Sequence, residues 1–525
     1  MTAVSDIFTA YRNRIEDGFS EFCPYDKKTL FKFSRNTEIV SYVLLCAVSF
    51  VLILLNGCNL FSALSVIMTS YIFLNEIPEI ITYFLRIKFY PELMAYLSSV
   101  RKKYIKLSNI PESIVEASTG RKKEICENAR ELKDILLTVN RRTAVREYVG
   151  TGKRNAYLKL FLIQAYSASE YGDEVNTNGM SVFGENIELI REEIIREMYN
   201  LKKKYFVLSG YIFVAVMPVV LFSLIKAAGN SMTDELGGFY ACDGKTVLLF
   251  AFLCSFFVYL VISGAKNIRQ NKTEKVLKSP GALKRVAERE DISGIKFLKK
   301  IMGEEVSANE IGACLTNVIA SGMGILLLSL MLKIYKNTFG IAAMLLMTVT
   351  AAIMPILKIL LNNTATKKET VNEIKSLETV LIMESGLKSM SVLNLLCDLE
   401  LFAIVFGREI RECINTLPSG MNEAFLKLKN NGIKKHIDFS AIAEGFLAVD
   451  EVGIAGAFGD IKLNKECSEK MQELEDMISL EKNRNLLDII AWIPAVIMIF
   501  GYFILPFLFV TLKEMEGVFE LFTGV

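Results

Sequence analysis

The sequence predicts an all-α, polytopic membrane protein with about seven transmembrane helices and two cytoplasmic helical bundles, built as a duplicated unit. Three observations predict it. Uncharged apolar runs long enough to cross a bilayer recur along the 525 residues, and the last of them, residues 486–510, carries Asp488 as its only charge. The charged stretches between these runs keep apolar residues at helical spacing, as Met471, Leu474, Met477 and Ile478 do. A charged helical segment feeding an apolar run also occurs twice. Residues 185–204 lead into 205–225 as residues 466–485 lead into 486–510, and the two runs begin at Tyr205 and Leu486, 281 residues apart. Glu170-Tyr171-Gly172 and Glu451-Val452-Gly453 share that offset, which makes duplication the better reading of a short motif.

Hydrophobic residues make up 52% of the chain and the mean hydropathy is +0.35, although 22% of residues are charged. Apolar blocks alternating with charged ones produce that mixture, and a soluble globule has no need of uncharged runs of this length. The net charge of +2 is unevenly spread. Residues 86–204 carry 22 basic and 16 acidic side chains, residues 266–310 carry 11 and 7, and residues 362–485 carry 15 and 20. The ten cysteines are scattered without a ligand-like cluster, and Cys23, Cys126, Cys397, Cys413 and Cys467 fall in polar blocks expected in the reducing cytosol. The N-terminus does not read as a signal peptide, because polar residues precede the first apolar run.

In chain order, residues 1–38 form a polar cytoplasmic segment. Residues 39–85 are a transmembrane hairpin, since the uncharged stretch 39–75 is too long for one crossing and Asn56-Gly57-Cys58-Asn59 supplies turn chemistry near its middle. Residues 86–204 are the first cytoplasmic helical domain. Residues 205–265 hold helices three and four, with an external loop that has Asp234, Glu235 and Asp243 but no basic residue from 227 to 244. A basic cytoplasmic linker (266–310), a second hairpin (311–361), a second cytoplasmic helical domain (362–485), the last span (486–512) and an external tail (513–525) follow.

Few groups invite chemistry. Gly150-Thr151-Gly152-Lys153-Arg154 resembles a phosphate loop, but Glu147 and Arg154 stand where that loop needs a glycine and a hydroxyl, so a solvated basic turn is the better reading. His436 is the only histidine, set in Lys434-Lys435-His436, and no nucleophile or base pattern surrounds it. Asp488 reads as an interfacial residue and Pro218, Pro494 and Pro506 as ordinary membrane-helix prolines. No catalytic residue, metal ligand or cofactor site is expected, and no nucleic-acid partner. The constellation that remains lies in the second domain. Gly386 and Gly420 each end one apolar helix and open another, and Glu451 and Gly453 close a third, with Glu170 and Gly172 as their counterpart. Gly386, Gly420 and Gly453 are expected as left-handed helix caps.

That order of an apolar helix, glycine turn, helix, glycine turn, helix, acid-x-Gly, charged helix and span resembles the type II secretion F-domain family, over about residues 376–512. The first domain carries only its last part, residues 169–225. Two such repeats look more like the tight-adherence pilus and archaeal flagellar platform proteins. The resemblance implies a non-enzymatic, multi-pass platform in the cytoplasmic membrane that couples a cytosolic secretion or pilus ATPase to the extrusion of pilin-like subunits, as a homo-oligomer or a paired platform. A transporter or channel with cytosolic regulatory domains is the alternative. Three basic clusters, Arg101-Lys102-Lys103, Arg121-Lys122-Lys123 and Arg141-Arg142, have three readings: docking of the basic first domain on the acidic second, contact with the ATPase, or contact with anionic membrane lipid.

Overall fold

The computed structural model describes residues 2–22, 27–56, 59–150, 154–173, 181–232, 243–266, 373–387, 390–403 and 405–504, with the backbone alone over 460–487, and scattered positions beyond these. Every regular element longer than a single bridge is helical among the described residues. In chain order they are α1 (Thr2–Ser20), α2 (Lys27–Asn56), α3 (Leu60–Leu107), α4 (Ile110–Ser118), α5 (Lys123–Leu137), α6 (Arg141–Gly150), α7 (Ala156–Tyr171), α8 (Val182–Met232), α9 (Asp243–Lys266), α10 (373–385), α11 (Val392–Phe402), α12 (Gly407–Thr416), α13 (Met421–Lys435) and α14 (Phe439–Val496). A 3-10 turn (Leu417–Ser419) precedes α13 and a π-helical segment (Ile497–Ile504) continues α14.

The chain divides into two compact units. The first comprises Met1–Leu44, Leu74–Lys203 and Lys368–Met477. Three of its helices start where side chains cap them: Asn109 accepts the Glu112 amide at 3.2 Å ahead of α4, Asn155 the Tyr157 amide at 3.0 Å ahead of α7, and Ser391 the Asn394 amide at 3.2 Å ahead of α11. Apolar stripes then turn inward, Ile125, Ala129, Leu132 and Leu136 on α5 being one. Sequence alone separates residues 86–204 and 362–485 as two domains. In the structure both contribute to one continuous apolar core, from Leu93 and Phe161 to Leu395 and Phe446. The N-terminal segment belongs to the same unit: α1 is helical, Phe22 enters that core, and Arg86 pairs with Glu21 at 2.9 Å.

Burial repeats along this unit with a period. Leu93, Tyr96 and Val100 are buried, and so are Ile374, Leu377 and Leu381, each 281 residues further on. The same spacing links buried Ile125, Asn128, Ala129 and Leu132 to Phe406, Glu409, Ile410 and Cys413. It also links Leu158, Phe161, Leu162, Ala165 and Ala168 to Phe439, Ile442, Ala443, Phe446 and Val449. In α6 and α13 the match slips by one residue, Val145 and Tyr148 corresponding to Phe425 and Leu428.

The second unit comprises Leu45–Phe73, Lys204–Lys367 and Ile478–Val525. Among the described residues of the chain, four stretches are long and apolar enough to cross a membrane: Leu30–Leu55, Leu60–Leu107, Ser209–Ala228 and Asp488–Leu512. The expected fourth crossing is helical as α9, although its apolar stretch Val247–Leu260 is shorter. The expected spans 311–332 and 337–357, and most of the linker before them, lie outside the described residues. Small residues let the apolar helices of this unit meet closely. Ala215, Ala251 and Ala491 are fully buried, and a Cβ on Gly501 would stand 3.1 Å from Val247. Pro494 withholds one backbone donor just before the π-helical turn, where Tyr502 packs on Tyr240 at 4.9 Å between ring centroids. Val40, Leu54, Phe213 and Ile489 are among the large apolar side chains left exposed on these spans, as expected of surfaces that lipid covers.

Candidate functional site

The glycines singled out from sequence divide into two kinds. Gly172 ends α7 at φ 87°, ψ 151°, and Gly453 breaks α14 at φ 73°, ψ 169°. The two residues 281 apart therefore share a backbone conformation that L side chains rarely adopt, and neither has a neighbour within 4 Å of where a Cβ would sit. Conformation alone, not crowding, accounts for glycine at both places. Their acidic companions are both exposed, and Glu170 lies 3.6 Å from Arg141.

The expectation of left-handed caps needs correction. Gly420 has φ 150°, ψ 127°, which is glycine territory but extended, and it opens α13 after the 3-10 turn. Gly453 likewise has ψ far from the left-handed helical value. Gly386 does not have a positive φ among the described backbone. Its role is contact: a Cβ there would stand 3.1 Å from Cγ1 of Val182, so the missing side chain lets the end of α10 approach the start of α8.

The basic clusters are largely paired. Arg101 bonds Glu188, Lys103 pairs with Glu116 at 2.8 Å, and Lys102 is exposed. Lys122 pairs with Glu92 at 2.8 Å and Lys123 with Glu127 at 3.4 Å. Arg121 is a structural tie, donating to the carbonyls of Ala117 (2.9 Å) and Ala95 (2.8 Å) and to Ser99 Oγ (2.6 Å), which binds α4 to α3. The expectation that this triplet is solvated and free therefore fails at Arg121, because the carbonyl of Ala117 at the end of α4 and the Ala95 carbonyl and Ser99 hydroxyl of α3 engage the guanidinium. Lys103, Arg121 and Lys122 do line one open cleft of about 580 Å³, but Glu92 and Glu116 line it too, so it is not a concentrated positive surface. His436 follows α13, with Nδ1 accepting the Asp438 amide at 3.3 Å.

Sequence reasoning missed the polar seam between the two blocks of the first unit. Gln164 Nε2 on α7 donates to Glu384 Oε1 on α10 at 2.7 Å. Asn186 Nδ2 on α8 donates to Gln164 Oε1 at 2.7 Å and to the Met383 carbonyl at 3.0 Å. Nearby, α6 meets α11, where Arg146 reaches Glu400 at 3.3 Å and Arg142 lies beside Cys397 and Asp398. Glu384 and Asp398 have no exposed surface, and among the described residues Glu384 Oε2 and both Asp398 carboxylate oxygens meet no hydrogen-bond donor. Burial pushes the Glu384 carboxyl well above the carboxylate range, reinforced by Asp398. Burial likewise raises Asp398 to about 7, against the pull of Arg142. The available signal was a polar residue on an apolar stripe: Asp398 sits between Leu395 and Leu399 on the inward face of α11, and Gln164 amid the buried run of α7.

Among the described residues no group of His, Cys, Asp and Glu side chains is arranged to hold a metal ion. Compared with known proteins, the chain matches no family model, no curated protein and no solved structure.

Proposed function

We propose that the chain is a cytoplasmic-membrane platform of a type II secretion or pilus assembly machine, coupling a cytosolic secretion ATPase to the extrusion of pilin-like subunits. In this reading it spans the membrane seven times, with both helical blocks in the cytosol, and acts without catalysing a reaction. The observation that carries the reading is the repeat: two helical blocks with the same buried register, each ending in a glycine of the same unusual backbone conformation ahead of a long helix that runs on into an apolar stretch. Duplication of one mechanical module explains that match, and a helix continuing from a packed bundle toward a membrane span is suited to pass on a rotation or a tilt.

The test is reconstitution with a hexameric secretion ATPase of the same cell. The expected outcome is a complex that raises or lowers ATP turnover, and loss of surface pilin when the chain is deleted, with pilin retained in the membrane. A cysteine introduced at Leu236 should react with an impermeant maleimide in intact cells, and one at Lys429 should not. Robust solute uptake by the chain alone in liposomes, with no ATPase association, would replace this proposal by a transporter.

A further inference from the structure

We propose that the seam between the two helical blocks is a proton-dependent joint, closed while Asp398 and Glu384 are neutral acids and loosened when Asp398 loses its proton. Asp398 has no exposed surface and neither of its oxygens meets a donor among the described residues, although it lies where α11 packs on α6. A charged carboxylate there goes without the hydrogen bonds that would offset its lost hydration, whereas the neutral acid has far less to lose. Glu384, equally buried, has one oxygen held by Gln164, while its other oxygen meets no donor among the described residues; burial and the neighbouring Asp398 outweigh the pull of Gln164 and Ser167 toward the charged form. Two carboxyls so placed oppose each other's ionisation.

The charged and titratable groups facing Asp398 do not reverse this. Among the described residues Arg142 on α6 is the cation acting on it, and it is solvent-exposed, so its attraction is screened. Tyr166 and Tyr171 on α7 and Cys397 on α11 are themselves pushed up and stay neutral near pH 7. Glu400 on α11 is engaged by Arg146 and by Arg411 of α12, and Glu384 on α10 adds negative charge only when ionised.

The direction follows from burial. An exposed aspartate loses its proton near ~3.9, while the closed seam keeps the Asp398 proton up to about 7. The proton-linked stabilisation is therefore complete below the exposed value and is lost as pH rises through about 7.

The experiment uses the full chain in detergent micelles. Amide hydrogen exchange of α11 and α6, corrected for the intrinsic pH dependence, is compared at pH 6 and pH 8, beside the infrared band of protonated carboxylic acids. The expected result is about tenfold lower protection at pH 8, with part of the carboxylic-acid band lost over the same range. Asp398→Asn should remove the pH dependence, and His436→Gln should keep it. Flat protection together with an unchanging band in the wild-type chain overturns the joint, and this requires no variant to fold. A dependence that survives in Asp398→Asn, or vanishes in His436→Gln, overturns it as well.

Discussion

The first and second helical blocks bury the same positions along most of their length and differ where they touch. Position by position, Lys103 corresponds to Glu384, Ile105 to Gly386 and Ala117 to Asp398, each pair 281 residues apart. Lys103 pairs with Glu116 at the surface and Ile105 is 70% exposed, while Glu384 is sealed and Gly386 packs on Val182. The end of α3 thus faces outward where the end of α10 faces the other block. Core positions accept one apolar side chain in place of another, so the buried register is the same in both blocks. The seam has no such symmetry: one block offers a surface that the other covers, and polarity and residue size differ there.

The largest effect that tests this comparison comes from the shared core. Phe439 stacks on Phe406 at 4.3 Å and is fully buried, and its counterpart Leu158 is equally buried. Phe439→Ala should cost about 3–5 kcal/mol and Leu158→Ala about 2–5 kcal/mol, read from the denaturation midpoint. Because one core joins the blocks, Leu158→Ala should also lower hydrogen-exchange protection in α13. Protection there that stays at the wild-type level would show two independent bodies.

The paired glycines give the next effect. Gly172→Ala and Gly453→Ala should each cost about 1–2 kcal/mol from backbone strain alone, since both sites leave room for a Cβ. Gly386→Ala should behave differently: its penalty comes from Val182 and should be relieved in the Gly386→Ala, Val182→Ala double variant, which relieves nothing at Gly172. Unequal costs at Gly172 and Gly453 would break the equivalence of the two helix ends.

The smallest effects distinguish the basic residues. Arg121→Ala removes two hydrogen bonds to α3 and one to the end of α4 and should cost about 1–2 kcal/mol. Lys123→Ala, whose side chain is 77% exposed, should leave the midpoint unchanged. Equal behaviour of the two would return Arg121 to the surface role that its sequence context implies.

What was legible in the sequence is what neighbouring residues impose on one another. The uncharged runs require membrane helices because no water is present to satisfy a backbone outside a helix. The apolar spacing of α5 requires a helix with one buried face, and the 281-residue offset is carried by Glu-x-Gly and the onset of two apolar runs. Which face meets which was decided only in three dimensions. Nothing near Gly386 announces that Val182 lies against it, or near Asp398 that α6 covers it, because those partners are some two hundred residues or more away in sequence. Arg121 reads as surface charge in its triplet, and its role appears only when the carbonyls of Ala95 and Ala117 are brought to it. Periodicity belongs to a single segment, whereas the burial of a polar side chain and the commitment of a charged one depend on the segments that fold against it.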